Sequence, residues 1–377
     1  MIQKITFWLL LIAAFLVSIS LKGNDGVESS KYWEDDQVVP DFSPRTYVCY
    51  HRSGSIEIDG KLDEDVWSEI PWTTSFEDIR GDGWPEPEHD TRVKMMWDDE
   101  YFYVAAKLEE PHVWATIEER DAVIFHDNDF EVFIDPDGDT HGYYELELNA
   151  LNAIWDLLLV RPYRDGGPAI DNWDINGLRT GVHVDGSLND PEDRDNSWSV
   201  EIAFPLSALK EFGKGVRPGD GVQWRVNFSR VQWHTNIANG EYRKKTDPET
   251  GNPLPEENWV WSPQGVVDMH RPETWGIVQF SRKLAGRGEA DFNFDPSDNI
   301  KWELRNLYYA QRRFRAENDR YARSIDELEQ VGFIPTALEF DPEMKTGFQT
   351  YEIRARGENR FWHINNEGRT WSSRIEE

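Results

Sequence analysis

A single cysteine, Cys49, among 377 residues excludes an internal disulfide framework. Its simplest role is that of a small buried strand residue. Positive charge is scarce too: 40 Lys and Arg face 71 Asp and Glu, a formal net charge of -31. Such a chain repels nucleic-acid phosphates and anionic membrane surfaces, so neither is an expected partner. No Gly-rich phosphate loop, histidine-based zinc motif or serine-nucleophile motif occurs. Long apolar runs are missing but for one, Ile5 to Val17. It is shorter than the roughly 20 residues a membrane span needs. Lys4 precedes it and Ser18-Ile19-Ser20 follows, so residues 1–20 read as a cleaved signal peptide and the product as secreted or periplasmic. No cysteine follows the run to suggest a lipid anchor.

Aromatic residues, by contrast, are plentiful. With 18 Trp, 19 Phe and 13 Tyr the chain is too apolar for an acidic disordered polymer. Residues 21–45 are polar, without a sustained period, and read as a linker. From Thr46 to about Arg282 the signals are β: "TYVCY", "RVKMMW" and "EYFYVAAKLEE" are short runs separated by turn residues. Alternation in "SWSVEIAF" puts Trp198, Val200, Ile202 and Phe204 on one face, and "WRVNFSR" does the same for Trp224, Val226 and Phe228. Many short strands without long helices between them imply an antiparallel β-sandwich of immunoglobulin or jelly-roll type. Residues 234–258 are rich in Gly, Pro and Asn and read as a large surface loop without regular structure.

After a second linker, 283–299, the period changes. Ile300, Leu304, Leu307, Tyr308 and Phe314 recur at helical spacing. Ser324 with Glu327 offers a capping box for a short helix ending at Gly332, and "TYEIRAR", "RFWHIN" and "RTWSS" read as three strands. Residues 300–377 are therefore expected to form a small α+β domain. Its segment "LRNLYYAQRRFRAENDRYARSIDELE" resembles the soluble part of type IV pilin-like proteins, without their apolar first half-helix or processing motif.

The stretch "DNDFEVFIDPDGDTHGYYELELNA", residues 127–150, concentrates acids. Asp135, Asp137 and Asp139 alternate around Gly138, and alternate oxygens on a tight loop can converge on a hard cation such as calcium. A solvated acidic hairpin tip is the alternative. Strand alternation places Asp129 and Glu131 on one face and Asn128 and Phe130 on the other. A glycosidase would need two carboxylates roughly 5 to 9.5 Å apart with differing pKa values. Among 71 acidic residues such a pair proves nothing by itself.

The segments "IEIDGKLDEDVWSEIP", "RVKMMWDDEYFYVAAKLEEP", "DNDFEVFIDPDGDTHGYYELELNA", "WSVEIAFPLSAL" and "WSPQGVVDMHRPETWGIVQF" together resemble carbohydrate-binding module family 9, over residues 46–282. The resemblance implies a sandwich that binds poly- or oligosaccharide, often beside a polysaccharide hydrolase, with calcium as a structural ion. It implies two aromatic side chains clamping a terminal sugar. The first falls at or beside Phe125. The second falls near Met269, a departure, with Trp261 and His270 close in sequence and Trp155, Trp173 or Trp233 as substitutes. Asn128 and Asp129 are the implied hydroxyl partners, and Glu145 and Arg161 are further polar candidates. Arg161 and Arg164 could fork onto hydroxyls or a uronate carboxylate. Other relatives of the sandwich bind haem, which would draw on Met95, Met96, Met269, His126 or His270. The expected function is thus an exported, non-catalytic carbohydrate-binding protein working beside a glycoside hydrolase or cell-surface protein. A glycoside hydrolase with its acid pair within 127–147, or a haem-binding electron-transfer domain, is the alternative.

Overall fold

The computed structural model describes residues 41–211, 217–335 and 338–375. The expected signal peptide and most of the first linker lie outside these residues. Among the described residues no helix is long and apolar enough to cross a membrane.

The sandwich strands are β1 (Thr46–His51), β2 (Glu77–Asp78), β3 (Thr91–Trp97), β4 (Tyr101–Glu109), β5 (Asp129–Asp135), β6 (Tyr143–Asn149), β7 (Ile154–Leu159), β8 (Ala169–Ile170), β9 (Arg179–Asp185) and β10 (Ser197–Pro205). They continue through β11 (Gln223–Gln232), β12 (Thr235–Ala238), β13 (Glu241–Lys244), β14 (Glu257–Val260) and β15 (Gly276–Leu284). The main sheet runs β8-β7-β6-β5-β11-β15-β1-β3-β4-β10-β9, with β14 and β2 branching from β11. The layers of the sandwich are therefore hydrogen-bonded into one curved sheet. Pairing is antiparallel as expected, except where β1 runs parallel to both β15 and β3. One apolar face is shared by all of it. Phe130, Val132 and Ile134 of β5, Trp198, Val200, Ile202 and Phe204 of β10, and Trp224, Val226 and Phe228 of β11 lie in a single core, as their alternation requires.

The "IDGKLDEDVW" segment locks one corner of that core. Gly60 sits at φ 88°, and a Cβ there would lie 2.4 Å from the backbone of Val182. A Cβ at Gly181 would lie 2.6 Å from Asp59, so the two backbones cross where neither has a side chain. A single helical turn, α1 (Asp65–Ser68), then buries Val66 and Trp67.

Residues 234–258 depart from the expected irregular loop. β12 and β13 form a hairpin around Asn239-Gly240, both at positive φ (57° and 76°). Asn-Gly is the dipeptide that favours such a two-residue turn.

The C-terminal part has its own core. Helix α2 (Ser297–Asn318) buries Ile300, Leu304, Leu307, Tyr308 and Phe314 against strands β17 (Tyr351–Arg356) and β18 (Arg360–Asn365). The sheet has four strands rather than three, since β16 (Glu343–Thr346) adds an edge opposite β19 (Thr370–Arg374). Ser324 Oγ accepts from Glu327 N at 3.4 Å, and the turn that follows, Asp326–Val331, is 3-10 and ends at Gly332.

The two parts are joined by a polar seam. Arg305 of α2 donates to Gly368 O at 2.6 Å and to Thr140 Oγ1 at 3.3 Å, and Tyr308 Oη donates to Asp165 at 2.6 Å. Arg164 pairs with Glu273 at 2.8 Å with both side chains almost fully buried, and Tyr309 donates its hydroxyl to the same Glu273. Water is excluded there, so each charge depends on its partner.

Candidate functional site

The face of the sheet opposite the core, where β5, β6, β7 and β11 meet, is acidic. Because Phe130, Val132, Tyr144, Leu146 and Leu148 point into the core, Asp129, Glu131, Glu145 and Glu147 point away from it. Glu131 stands directly opposite Glu147 across the β5–β6 pair, and Phe133 opposite Glu145. On β11, Ser229 faces Glu131 and Val231 faces Asp129; on β7, Trp155 faces Glu147. Carboxylate oxygens of Asp129, Glu131 and Glu147 lie within 4.8 Å of one another.

All four acids are buried, between 0% and 5% exposed. Their partners are few. Glu147 Oε2 accepts from Phe125 N at 3.0 Å, and Asp129 Oδ1 accepts from Val231 N at 3.3 Å. Asp129 Oδ2 and Glu145 Oε2 have no hydrogen-bond partner among the described residues. Among the described residues no guanidinium or ammonium group pairs with any of the four. The nearby Lys244, on β13, lies over the Trp233 ring at 3.2 Å and faces Asp127 and Glu256 instead. Burial pushes Glu131 up to about 7, and burial followed by mutual repulsion pushes Asp129, Glu145 and Glu147 well above the usual carboxylate range.

Two aromatic side chains border this floor. Phe125 is half-buried and packs with Trp114, Val231 and Trp233. Trp155 is half-buried beside Leu157, Trp275 and Met269, and its Nε1 is buried without an acceptor among the described residues. Both abut Glu147, one through its backbone N–H and the other across the β6–β7 pair. Four of the residues singled out from the sequence thus come together: Phe125, Asp129, Glu145 and Trp155. Glu131 and Glu147 complete the floor. The alternation of "YELELN" paired with "DFEVFID" is the signal that identifies them.

The remaining candidates lie elsewhere. Asn128 is spent internally: its Oδ1 accepts from Trp233 N at 2.8 Å and its Nδ2 donates to Glu110 at 3.3 Å. Trp261 is 1% exposed, against Phe228 and over Gly276, so it is a core residue and no platform. Trp173 packs on the core side, 5.5 Å from Tyr144. Arg161 is held by Gly167 O at 3.1 Å and by Glu367, and Arg164 by Glu273, so both serve the seam and present no fork to a uronate. His270 is bonded to Tyr143 Oη at 2.9 Å and pushed down to about 4 by burial, which leaves its ring neutral.

Asp135, Asp137 and Asp139 do bring oxygens within 4.8 Å of one another. Two of the three carboxylates are already hydrogen-bonded, however. Asp135 accepts from Gly138 N at 3.0 Å and Thr140 N at 2.9 Å, and Asp139 accepts from His141 N at 2.8 Å and Arg369 Nε at 2.9 Å. An arginine at the ligand position and a docked C-terminal domain fit a calcium ion poorly there. The haem candidates are separated as well. Met95 and Met96 are buried in different clusters, while Met269 Sδ accepts from Gln264 at 3.0 Å.

The architecture defines a class, β-sandwich domains carrying a polar site on the outer face of the sheet. Residues 58–223 match the family model described as carbohydrate family 9 binding domain-like. Exoglucanase XynX of Acetivibrio thermocellus is 32% identical over 135 residues, 33% of this chain and 12% of that protein. The chain thus spans about an eighth of the length of that curated relative. A solved structure from Bacteroides uniformis ATCC 8492 is 17% identical, covers 63% of this chain and 100% of its own, and has a TM-score of 0.46. A family 9 module from Caldicellulosiruptor kristjanssonii in complex with cellotriose is 18% identical, covers 66% of this chain and 100% of its own, and has a TM-score of 0.39.

Proposed function

We propose that the sandwich binds poly- or oligosaccharide on the acid-floored face of its sheet, outside the cell and without breaking bonds. The observation that carries this is the placing of Phe125 and Trp155 on either side of Glu147, within a domain of the carbohydrate family 9 type. A pyranose ring offers apolar C–H faces to the two aromatic rings. Glu145 Oε2 and Trp155 Nε1, buried and unpaired among the described residues, would be satisfied by sugar hydroxyls once the rim side chains part.

The glycosidase reading is weaker for a physical reason. Such chemistry needs one carboxyl protonated and the other ionised, set apart by their surroundings. Here burial pushes all four floor carboxyls in the same direction, and among the described residues no arginine or lysine pairs with one of them.

Titration of tryptophan fluorescence with cello-, xylo- and manno-oligosaccharides tests the proposal. A saturable change with one sugar class, without release of reducing ends, is the expected result. No response to any of them would remove the carbohydrate reading. Reducing ends released by purified protein, and lost in Asp129→Asn, would replace it with hydrolysis.

A further inference from the structure

We infer that Tyr163 is a third sugar-stacking residue, taking a ring further along a neutral oligosaccharide whose end lies between Phe125 and Trp155. The inference rests on the carbohydrate reading and adds a chain-length preference to it.

Tyr163 leaves half of its surface in solvent, at 50% exposed, yet it is tied to the sugar face. Its ring meets His270 edge-on, with centroids 4.4 Å apart. His270 is in turn hydrogen-bonded at 2.9 Å to the hydroxyl of Tyr143 on β6. Tyr143, Glu145 and Glu147 alternate onto one face of that strand. Met269, next to His270 in the chain, packs with Trp155 on one cluster of Phe133, Tyr143 and Trp275. Apolar surface therefore continues along the outer face from Trp155 towards Tyr163. Tyr143 stands four residues from Glu147, roughly 13 Å along the strand. One pyranose ring cannot cover that span, whereas a chain of them can.

The loop that carries Tyr163 is held firmly. Arg161 donates to Gly167 O at 3.1 Å, and Arg164 donates to His270 O at 3.1 Å while pairing with Glu273 at 2.8 Å. Asp165 accepts from Tyr308 Oη at 2.6 Å and Arg312 at 3.2 Å, both on α2. An exposed ring whose neighbours are already pinned loses little freedom when a ligand covers it. Holding this loop gives the C-terminal domain a part in binding. The same bonds decide the ligand's charge. Arg161 and Arg164, the cations of the loop, are engaged within the protein, so the loop presents an aromatic ring rather than a charge, and a neutral chain fits it better than a uronate.

Calorimetry of the full chain with cello-, xylo- and manno-oligosaccharides, from disaccharide to hexasaccharide, tests the inference. Affinity should rise about tenfold along the series of the sugar class that binds. Tyr163→Ala should lose that rise, and Tyr163→Phe, which keeps the ring, should retain it. Trp84→Ala, an aromatic equally exposed at 50% on another loop, should retain it too. If Tyr163→Ala fails to fold, Tyr163→Leu decides, since it keeps apolar bulk without a flat face and should also lose the rise. A rise that survives in the folded Ala or Leu variant, or one lost equally in Trp84→Ala, would overturn the inference. Saturable binding of equal affinity at every length would overturn it alone and leave the carbohydrate reading standing. Silence towards every sugar would remove both.

Discussion

The indole Nε1 of Trp67 donates to Glu201 Oε1 at 2.6 Å, joining residues 134 positions apart in the chain. The other oxygen, Oε2, accepts from Asp59 N at 3.0 Å and Gly60 N at 2.9 Å. One carboxylate on β10 therefore fixes the whole "IDGKLDEDVW" corner against the sheet. Glu201→Ala strands three donors, two of them buried, and is expected to lower stability by about 2 kcal/mol. Glu201→Gln, which keeps an acceptor for Trp67, is expected to cost less. Urea unfolding of both variants measures the difference, and equal stability of Glu201→Ala and the wild type would show that the corner is held by packing alone.

At the seam, Glu273 predicts an acid-limb effect. Burial alone would raise its pKa, but Arg164, with Arg305 and Tyr309 assisting, brings it down to about 2. A carboxyl held below its unfolded value contributes stability above the unfolded pKa and loses it as pH falls towards 2. The contribution is about 3 kcal/mol at neutral pH, fading between roughly pH 5 and pH 2. Glu273→Gln should be the less stable protein at pH 7, and its disadvantage should shrink towards pH 2. Urea midpoints across that range report it; a constant gap would mean that the seam does not depend on this charge.

Period-two alternation made the sheet faces legible: the core residues of β10 and β11, and Asp129 with Glu131 on the opposite side, follow from spacing alone. The helical spacing of Ile300 to Phe314 was equally plain. Pairing was not. Nothing local says that β1 joins the layers by running parallel to β15, or that Glu147 stands opposite Glu131, because register is a non-local property. Arg161, Arg164 and Trp261 could not be placed either. An arginine or tryptophan looks the same in sequence whether it meets a ligand or a buried partner, and here Glu367, Glu273 and Gly276 take them. The β12–β13 hairpin was readable in Asn239-Gly240, a local signal outweighed by the surrounding polar composition.

Trp261 and Gly276 make a prediction that separates packing from binding. A Cβ on Gly276 would lie 2.3 Å from the Trp261 ring, closer than any relaxed contact. Gly276→Ala is expected to destabilise by about 2 kcal/mol through overpacking of the core. Combining it with Trp261→Phe should recover part of the loss, since the smaller ring gives the methyl room. Thermal denaturation of the single and double variants checks this, and a neutral Gly276→Ala would show that the indole moves freely.

The two rim aromatics should behave in the opposite way. Phe125 and Trp155 are half-buried and pack in small clusters beside the acid floor rather than inside the main core. Removing either ring should therefore spare most of the fold while stripping one wall from the sugar site. An aromatic anchor at a binding site typically contributes more than about 1 kcal/mol, so Phe125→Ala and Trp155→Ala should each weaken oligosaccharide binding by roughly tenfold. Trp173→Ala, on the core side of the sheet, should leave affinity unchanged while lowering the thermal midpoint. Calorimetry with the best oligosaccharide, run beside thermal melts, separates the two effects. If Trp173→Ala were the variant that lost affinity and the rim variants bound normally, the sugar would lie at the sandwich edge near Tyr144 and not over Glu147.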